Sequence, residues 1–451
     1  MTGRFSDGGP MHGRHARALI AVGATLALVT TAAPAGAAVE PGPVELVSRD
    51  SSGGPGDGGS LDPYLSADGR FVVFMSRASD LVAGDANGET DVFIKDRIDG
   101  SVALVSVDDQ GRQLPGYSYP TSVSADGRRV LFYTSAIVPH PDGDRSVTRP
   151  MLWDRLEGTA QPLAAADRDG RPASIREAVI SGNGRYLAFS TLDRLVRGDR
   201  DRSVDVYRLG LTNGAVRRVS TPPLGDTSSG VGGAVPSISH SGRVISFQTK
   251  ARLVKRDRLH KHRDVYVRDL RQRRPRLVSR SSAGRQANFD SRESSVSAGG
   301  RYVVFSSSAT NLVRRDTNRV SDVFLHDRRT GKTKRMSVNS RELQGNRPSQ
   351  GSYYGSAPAV SRDGRFVVFA SRATNLAPGI TSDVGNVFVR DRRAGRTVAL
   401  SVPSGGTSAV SGVGRMSADG STVAFWSEAP DLVVDDANGA IADVFVRRLR
   451  D

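Results

Sequence analysis

The hydrophobic positions of this 451-residue chain fall in short runs rather than in helical stripes. Tyr302-Val303-Val304-Phe305 and Phe366-Val367-Val368-Phe369 are β-branched and aromatic, and each is bounded by Gly, Ser, Asp or Arg, the pattern of short strands between tight turns. The runs share one frame. Ser66, Ser124, Ser181, Ser239, Ser297, Ser361 and Ser417 are each followed by glycine at +3, phenylalanine at +8 and serine or threonine at +10. The intervals between these serines are 58, 57, 58, 58, 64 and 56 residues. A period of that length carried by strand-forming residues predicts a propeller array.

Within the fifth repeat, Val296-Ser297, Tyr302–Phe305, Val323–His326 and Lys334–Val338 read as four strands separated by turns, which is one propeller blade. The glycine at +3 supplies the positive φ of a hairpin turn, as in Asp68-Gly69 and Asp363-Gly364. The repeated phenylalanines, with Phe93, Tyr207, Tyr266, Phe324, Phe388 and Phe445 on the third strands, are placed to fill the space between neighbouring blades. The repeated serines are placed to satisfy turn backbone, not to act as nucleophiles. The seventh repeat ends after its third strand, whereas Val44–Ser48 matches a fourth strand and precedes the first repeat. The prediction is an all-β, seven-bladed β-propeller of four-stranded antiparallel blades, closed by residues 44–48 in the last blade.

The runs Ser361-Arg362-Asp363-Gly364-Arg365-Phe366-Val367-Val368-Phe369, Asp322-Val323-Phe324-Leu325-His326-Asp327 and Ser308-Ala309-Thr310-Asn311-Leu312-Val313 resemble the WD-like repeats of TolB-type propellers, in the secreted form of high-GC Gram-positive bacteria. The resemblance spans the repeats and implies the fold. It departs from the family in blade number, seven here where many TolB-type propellers have six. It guides function only loosely, because propellers host many activities.

Ahead of the repeats, Arg14, His15 and Arg17 precede an apolar run from Ala18 to Thr30, and Ala35-Gly36-Ala37 forms an Ala-x-Ala site. This predicts a secretory signal peptide over 1–37, cleaved near Ala37/Ala38, and one propeller domain over 38–451. An extracellular or cell-wall location follows, with no transmembrane segment expected. Cysteine is absent, so core burial and strand pairing must supply the stability. Of the net charge of +16, the first 37 residues carry +2, which leaves +14 for the propeller. That excess favours acidic partners at long range, although arginine-rich composition alone would also produce it.

Candidate chemistry lies in the loops. Asp85, Asn87 and Asp91 in blade 1, Asp199, Asp201 and Asp205 in blade 3, Asp316, Asn318 and Asp322 in blade 5, and Asp436, Asn438 and Asp443 in blade 7 repeat an acidic spacing. Alternating oxygens of this kind suit Ca2+, the one cofactor to be expected; the competing reading is turn formation and capping of the next strand. Blade 4 is strongly basic, with Arg271, Arg273, Arg274 and Arg276 clustered at its last turn. These suit phosphate or carboxylate groups, or serve as a solvated edge that discourages aggregation. Tyr117, Tyr119, Phe289, Tyr353 and Tyr354 stand in polar inter-blade loops, fit either to stack on a partner or to hold the loops in place. No Gly-x-Ser-x-Gly elbow occurs, and no catalytic residue is assigned.

The expectation is a monomeric, non-catalytic binding propeller whose loop face takes a protein or an anionic envelope polymer rather than nucleic acid. The alternative is a hydrolase or lyase acting on a glycan or peptide, which should gather two or more carboxylates at the channel mouth.

Overall fold

Alternation of apolar and small polar residues lets each repeat bury both faces of a narrow sheet, and the repeats form seven antiparallel sheets. A computed structural model describes residues 40–136, 148–199, 203–221, 234–254, 261–350, 357–380, 383–403, 409–434, 436 and 438–450; the segment 1–37 expected as a signal peptide, Asp201, Tyr353 and Tyr354 lie outside them. Blade 1 runs through Ser60–Leu65, Phe71–Ser76, Asp91–Asp96 and Val102–Leu104, from the channel to the rim. Blades 2 to 6 repeat that order. Blade 7 consists of Ser411–Met416, Thr422–Ser427 and Asp443–Arg450, and its outer strand is Glu40–Leu46, paired antiparallel to the third. The two ends of the chain therefore close the ring, as the unfilled fourth strand of the last repeat requires. No helix among the described residues is long and apolar enough to cross a membrane.

In six blades the paired aromatic positions meet on one face of the sheet and pack against the preceding blade. Phe74 pairs with Phe93 in register and their ring centroids are 6.0 Å apart; Phe305 and Phe324 lie 5.9 Å apart, and Phe369 and Phe388 5.8 Å. All six rings are fully buried. Blade 2 sets Met151 opposite Phe132. Further apolar clusters join neighbouring blades, such as Val73 and Ile94 of blade 1 against Val130 and Trp153 of blade 2. Truncating one of these phenylalanines to alanine costs about 3–5 kcal/mol.

The repeated turn is more constrained than hairpin geometry alone demands. Ser66 Oγ accepts from Phe71 N (2.9 Å) and donates to Asp68 (2.6 Å), so the serine acts within its turn as expected. The glycine also fits against the preceding blade. A Cβ on Gly364 would stand 2.5 Å from the Tyr302 ring, one on Gly242 2.2 Å from Tyr186, and one on Gly127 2.2 Å from Phe71. Main-chain bonds then link turn to turn: Ala67 N to Ala125 O (2.9 Å), Ala125 N to Gly182 O (2.7 Å), His240 N to Ala298 O (3.0 Å), and Ala418 N back to Ala67 O (2.8 Å). Such bonds occur at six of the seven junctions, around one end of the axial channel.

Much of the arginine excess is consumed at the same edge. The arginine after the turn glycine pairs with the aspartate that ends the third strand, as in Arg70–Asp96 (2.6 Å), Arg301–Asp327 (2.6 Å) and Arg365–Asp391 (2.8 Å). These arginines are structural.

Gly364→Ala and Gly214→Ala separate the two demands on glycine, since both have positive φ but only Gly364 is crowded. Gly214→Ala is expected to cost about 1–2 kcal/mol, the left-handed penalty for alanine. Gly364→Ala should cost at least twice as much by denaturant unfolding; equal losses would mean that close packing plays no part. Deleting Glu40–Ser48 is expected to lower Tm by more than about 5 °C, because several kcal/mol are lost with the outer strand.

Candidate functional site

Strand direction sorts the loops onto two faces. Second strands end, and third strands begin, at the face that also carries the inter-blade connections; this is the loop face. The hairpin turns between first and second strands, and between third and fourth, occupy the opposite, turn face. Arg271, Arg273 and Arg274 sit in a turn between third and fourth strands and Arg276 opens the fourth strand, all exposed and without an ion pair among the described residues. They are therefore remote from Tyr117, Tyr119 and Phe289, and the sequence-predicted partner residues divide between two faces.

The acidic loops are braced from within. In five blades the first residue of the third strand is an aspartate that accepts from a serine just past the fourth strand: Ser279 to Asp264 (2.5 Å), Ser337 to Asp322 (2.5 Å), Ser48 to Asp443 (2.6 Å), Ser106 to Asp91 and Ser220 to Asp205. The same serines accept the next backbone N–H, as Ser337 does from Val323 (3.1 Å). The second carboxylate of each loop is met differently. Gln113 donates to both Asp85 (2.7 Å) and Asp91 (2.9 Å) in blade 1. Arg218 spans Asp199 (3.5 Å) and Asp205 (2.5 Å) in blade 3, and Arg335 spans Asp316 (3.5 Å) and Asp322 (2.9 Å) in blade 5. A guanidinium thus stands between the carboxylates of blades 3 and 5. Asn87 and Asn318 donate to Leu114 O (2.8 Å) and Gly345 O (2.9 Å), fastening their loops to the following connection.

Blade 7 has no such donor. Leu46 stands where blade 5 has Arg335, and Pro55 where blade 1 has Gln113, counting from the lock serines Ser48, Ser337 and Ser106. Asn438 bonds Asp443 (2.9 Å) and Gly56 O (3.1 Å), while one oxygen each of Asp436 and Asn438 is buried without a partner. Burial and the Asp443 charge push the Asp436 carboxyl up to about 6. Among the described residues, no group of three or more His, Asp or Glu side chains could hold a metal ion.

Two cavities are better candidates for a ligand. One, of about 540 Å3, opens on the loop face between blades 4 and 5. Its walls carry Lys250, Lys261, His262, Phe289 and Arg292 above a floor that includes Ser306, Ser307 and Ser321. Phe289 is 48% exposed and lies 5.3 Å from the His262 ring. Asp290 is held by Arg292, and Glu293 accepts from Ser306 (3.1 Å). Lys250 and Lys261 have no carboxylate partner among the described residues.

The other cavity, about 390 Å3, lies on the channel axis. Asp62, Tyr64, Tyr119, Glu177 and Arg415 line it together with small residues of blades 4 to 6. The channel wall is thus not merely Ser, Gly and backbone. Asp62, Glu177, Val235 and Glu293 all have positive φ where a bulge interrupts the innermost strand. At three of these positions the amide, or that of the next residue, reaches the preceding blade: Val235 N donates to Glu177 (2.7 Å), Glu293 N to Gln248 (2.8 Å) and Ala178 N to Tyr133 (3.1 Å). Tyr119 stacks on Tyr133 at 5.6 Å and is held in place, whereas Tyr117 remains exposed beside it. Sequence reading missed these carboxylates, although alignment of the repeats exposes them. Four places before the repeat serine, the remaining blades have Pro120, Val235, Ala357 and Val413.

No protein-family model and no curated protein matches the chain. Solved structures do. An oligogalacturonate lyase from Vibrio parahaemolyticus is similar at TM-score 0.51 and 12% identity, over 91% of this chain and 98% of that one. A Mycobacterium tuberculosis puromycin-hydrolyzing peptidase is similar at TM-score 0.50 and 14% identity, over 87% of this chain and 52% of that one. TolB from Acinetobacter baumannii is similar at TM-score 0.41 and 14% identity over 77% of this chain, which spans 65% of the TolB length. Likeness at these identities is a likeness of fold alone.

Asp436 titrates higher folded than unfolded, so between 3.8 and about 6 the folded state holds an extra proton and its stability falls as pH rises through that window. Asp436→Asn is expected to raise Tm at pH 7.5, by no more than about 2 °C in a domain of this size. At pH 4 variant and wild type should melt together; a gain independent of pH would dissociate the effect from ionisation.

Proposed function

We propose that this is an exported propeller that binds an anionic envelope polymer on its loop face, without catalysing its turnover. The observation that carries this reading is the cavity between blades 4 and 5, where two lysines without carboxylate partners flank an exposed phenylalanine ring. Cationic side chains meet the polymer charge, the ring stacks on a sugar or chain face, and the serine floor supplies neutral hydrogen bonds. The overall positive charge raises the encounter rate. A leader peptide over 1–37 would place the protein where such polymers are found.

A second reading, a hydrolase or lyase at the channel mouth, is favoured by a different observation: Asp62 and Glu177 line one cavity. Glu177 is engaged by Val235 N and Ser190, which fits a framework role, so binding is the stronger reading.

Calorimetric titration with an oligouronate and with poly(glycerol phosphate) tests the first reading. Affinity should fall steeply between about 0.05 and 0.5 M salt, as screening shortens from roughly 14 to 4 Å. Lys250→Ala with Lys261→Ala, and separately Phe289→Ala, should weaken binding by about tenfold, a loss of ~1.4 kcal/mol. Replacing Arg271, Arg273, Arg274 and Arg276 by glutamine should leave it nearly unchanged, because those residues occupy the other face. Equal loss from both sets would reduce the interaction to net charge. Release of shortened oligouronate by wild type but not by Asp62→Asn would favour the enzyme.

A further inference from the structure

The axial cavity contains a carboxyl and a guanidinium that feel each other's charge but form no ion pair. Asp62 accepts no hydrogen bond from any described residue and forms no ion pair. Arg415 has no carboxylate within ion-pair distance among the described residues. Its guanidinium lies 4.6 Å above the Tyr64 ring and makes only long bonds, to the Tyr64 hydroxyl (3.3 Å), Gly414 O (3.3 Å) and Ala357 O (3.4 Å). Tyr64 and the Ala357 carbonyl therefore hold the arginine outside ion-pair distance of Asp62, though a single residue, Pro63, separates Asp62 from Tyr64. The guanidinium keeps unused N–H donors suited to a carboxylate.

The rest of the wall narrows the choice of ligand. Glu177, the other acidic side chain lining the cavity, is already bonded to Val235 N (2.7 Å) and Ser190 (3.2 Å). The wall from blades 4 and 5 includes the small groups Pro236, Ser237, Ser294 and Ser295 and carries no charged side chain lining the cavity. A volume of about 390 Å3 lies within the ~300–1,000 Å3 usual for small-molecule sites. A polyanion would bring its charge against Asp62, and a simple cation would meet Arg415. A neutral sugar would desolvate both charges without pairing either, which costs affinity. A ligand with an ammonium and a carboxylate a few bonds apart satisfies both.

We propose that the axial cavity binds a small zwitterion, an α-amino acid or short peptide, with its ammonium on Asp62 and its carboxylate on Arg415. Tyr64 sets the spacing between the two charges, and the small residues of blades 4 and 5 admit the ligand side chain. This site is separate from the cavity between blades 4 and 5 and does not depend on the polymer reading.

Titration of the full chain with alanine and alanylalanine of either hand, alongside their N-acetyl and carboxamide forms, tests the assignment by calorimetry and thermal shift. The unmodified compounds should bind and raise Tm, and removal of either charge should weaken binding at least tenfold. Asp62→Asn should abolish discrimination against the N-acetyl form while keeping discrimination against the carboxamide; Arg415→Gln should do the reverse. Lys250→Ala with Lys261→Ala should alter neither, which separates this site from the polymer cavity. Absence of binding at millimolar ligand, or equal binding of all the derivatives by wild type, would overturn the proposal even if the variants fail to fold.

Discussion

Each blade is positioned by the contact between its turn glycine and the residue that opens the second strand of the blade before it. The crowding is closest at Phe71, Tyr186 and Tyr302, where no Cβ could be accommodated without displacement. Close approach of this kind recurs at six junctions, from Gly127 on Phe71 round to Gly69 on Thr422, and relaxes to ordinary contact where Gly184 meets Arg129. Main-chain bonds between successive turns then fix the angular step. With spacing and angle both repeated, the number of repeats determines whether the ring closes, and the outer strand is borrowed from the other end of the chain to complete it.

That constraint acts on one edge of the blades and leaves the other edge free. On the turn face, the turn serine and glycine recur in all seven repeats, and the Arg–Asp pair in five. On the loop face the requirement is that a third-strand aspartate, where present, be met by a serine; the remaining loop positions vary. Blade 1 uses a glutamine where blades 3 and 5 use an arginine, and blade 7 uses neither. Variation concentrates where the ring does not depend on it, and both ligand-sized cavities include residues from that variable side.

The fold was legible because its information is periodic and local. A serine, a glycine and a phenylalanine at fixed offsets identify a turn and the strand after it, and seven copies identify the ring. The sites were less legible because their members are distant in sequence. Asp62 and Arg415 meet only through ring closure, and Arg218 reaches Asp199 only by strand pairing. The acidic loops resemble metal loops when read alone, since the guanidinium that fills two of them comes from a later strand. Contiguity misled in the opposite direction at Arg271–Arg276. A cluster in sequence beside Lys250 and Lys261 becomes a separate patch once the third strand carries the chain across the blade.

Backbone strain does not distinguish function from framework here. A β-branched residue at positive φ is a rare conformation, and Val235 adopts it at 54° with no side-chain chemistry to offer. Its amide is directed into the preceding blade and met by Glu177 at 2.7 Å. The bulge therefore serves the ring: it redirects an inner-strand N–H across the blade boundary, and the hydrogen bond offsets a backbone cost of about 1–3 kcal/mol. Glu177, Val235 and Glu293 are explained by that exchange. Asp62 shares the conformation, at 48°, but its carboxylate takes no part in the lacing. Burial raises its pKa while Arg415 acts against the rise, so the ionised form is disfavoured without being abolished. What sets Asp62 apart is a carboxyl without a hydrogen-bond donor among the described residues, at a position where the equivalent residues are either apolar or already bonded.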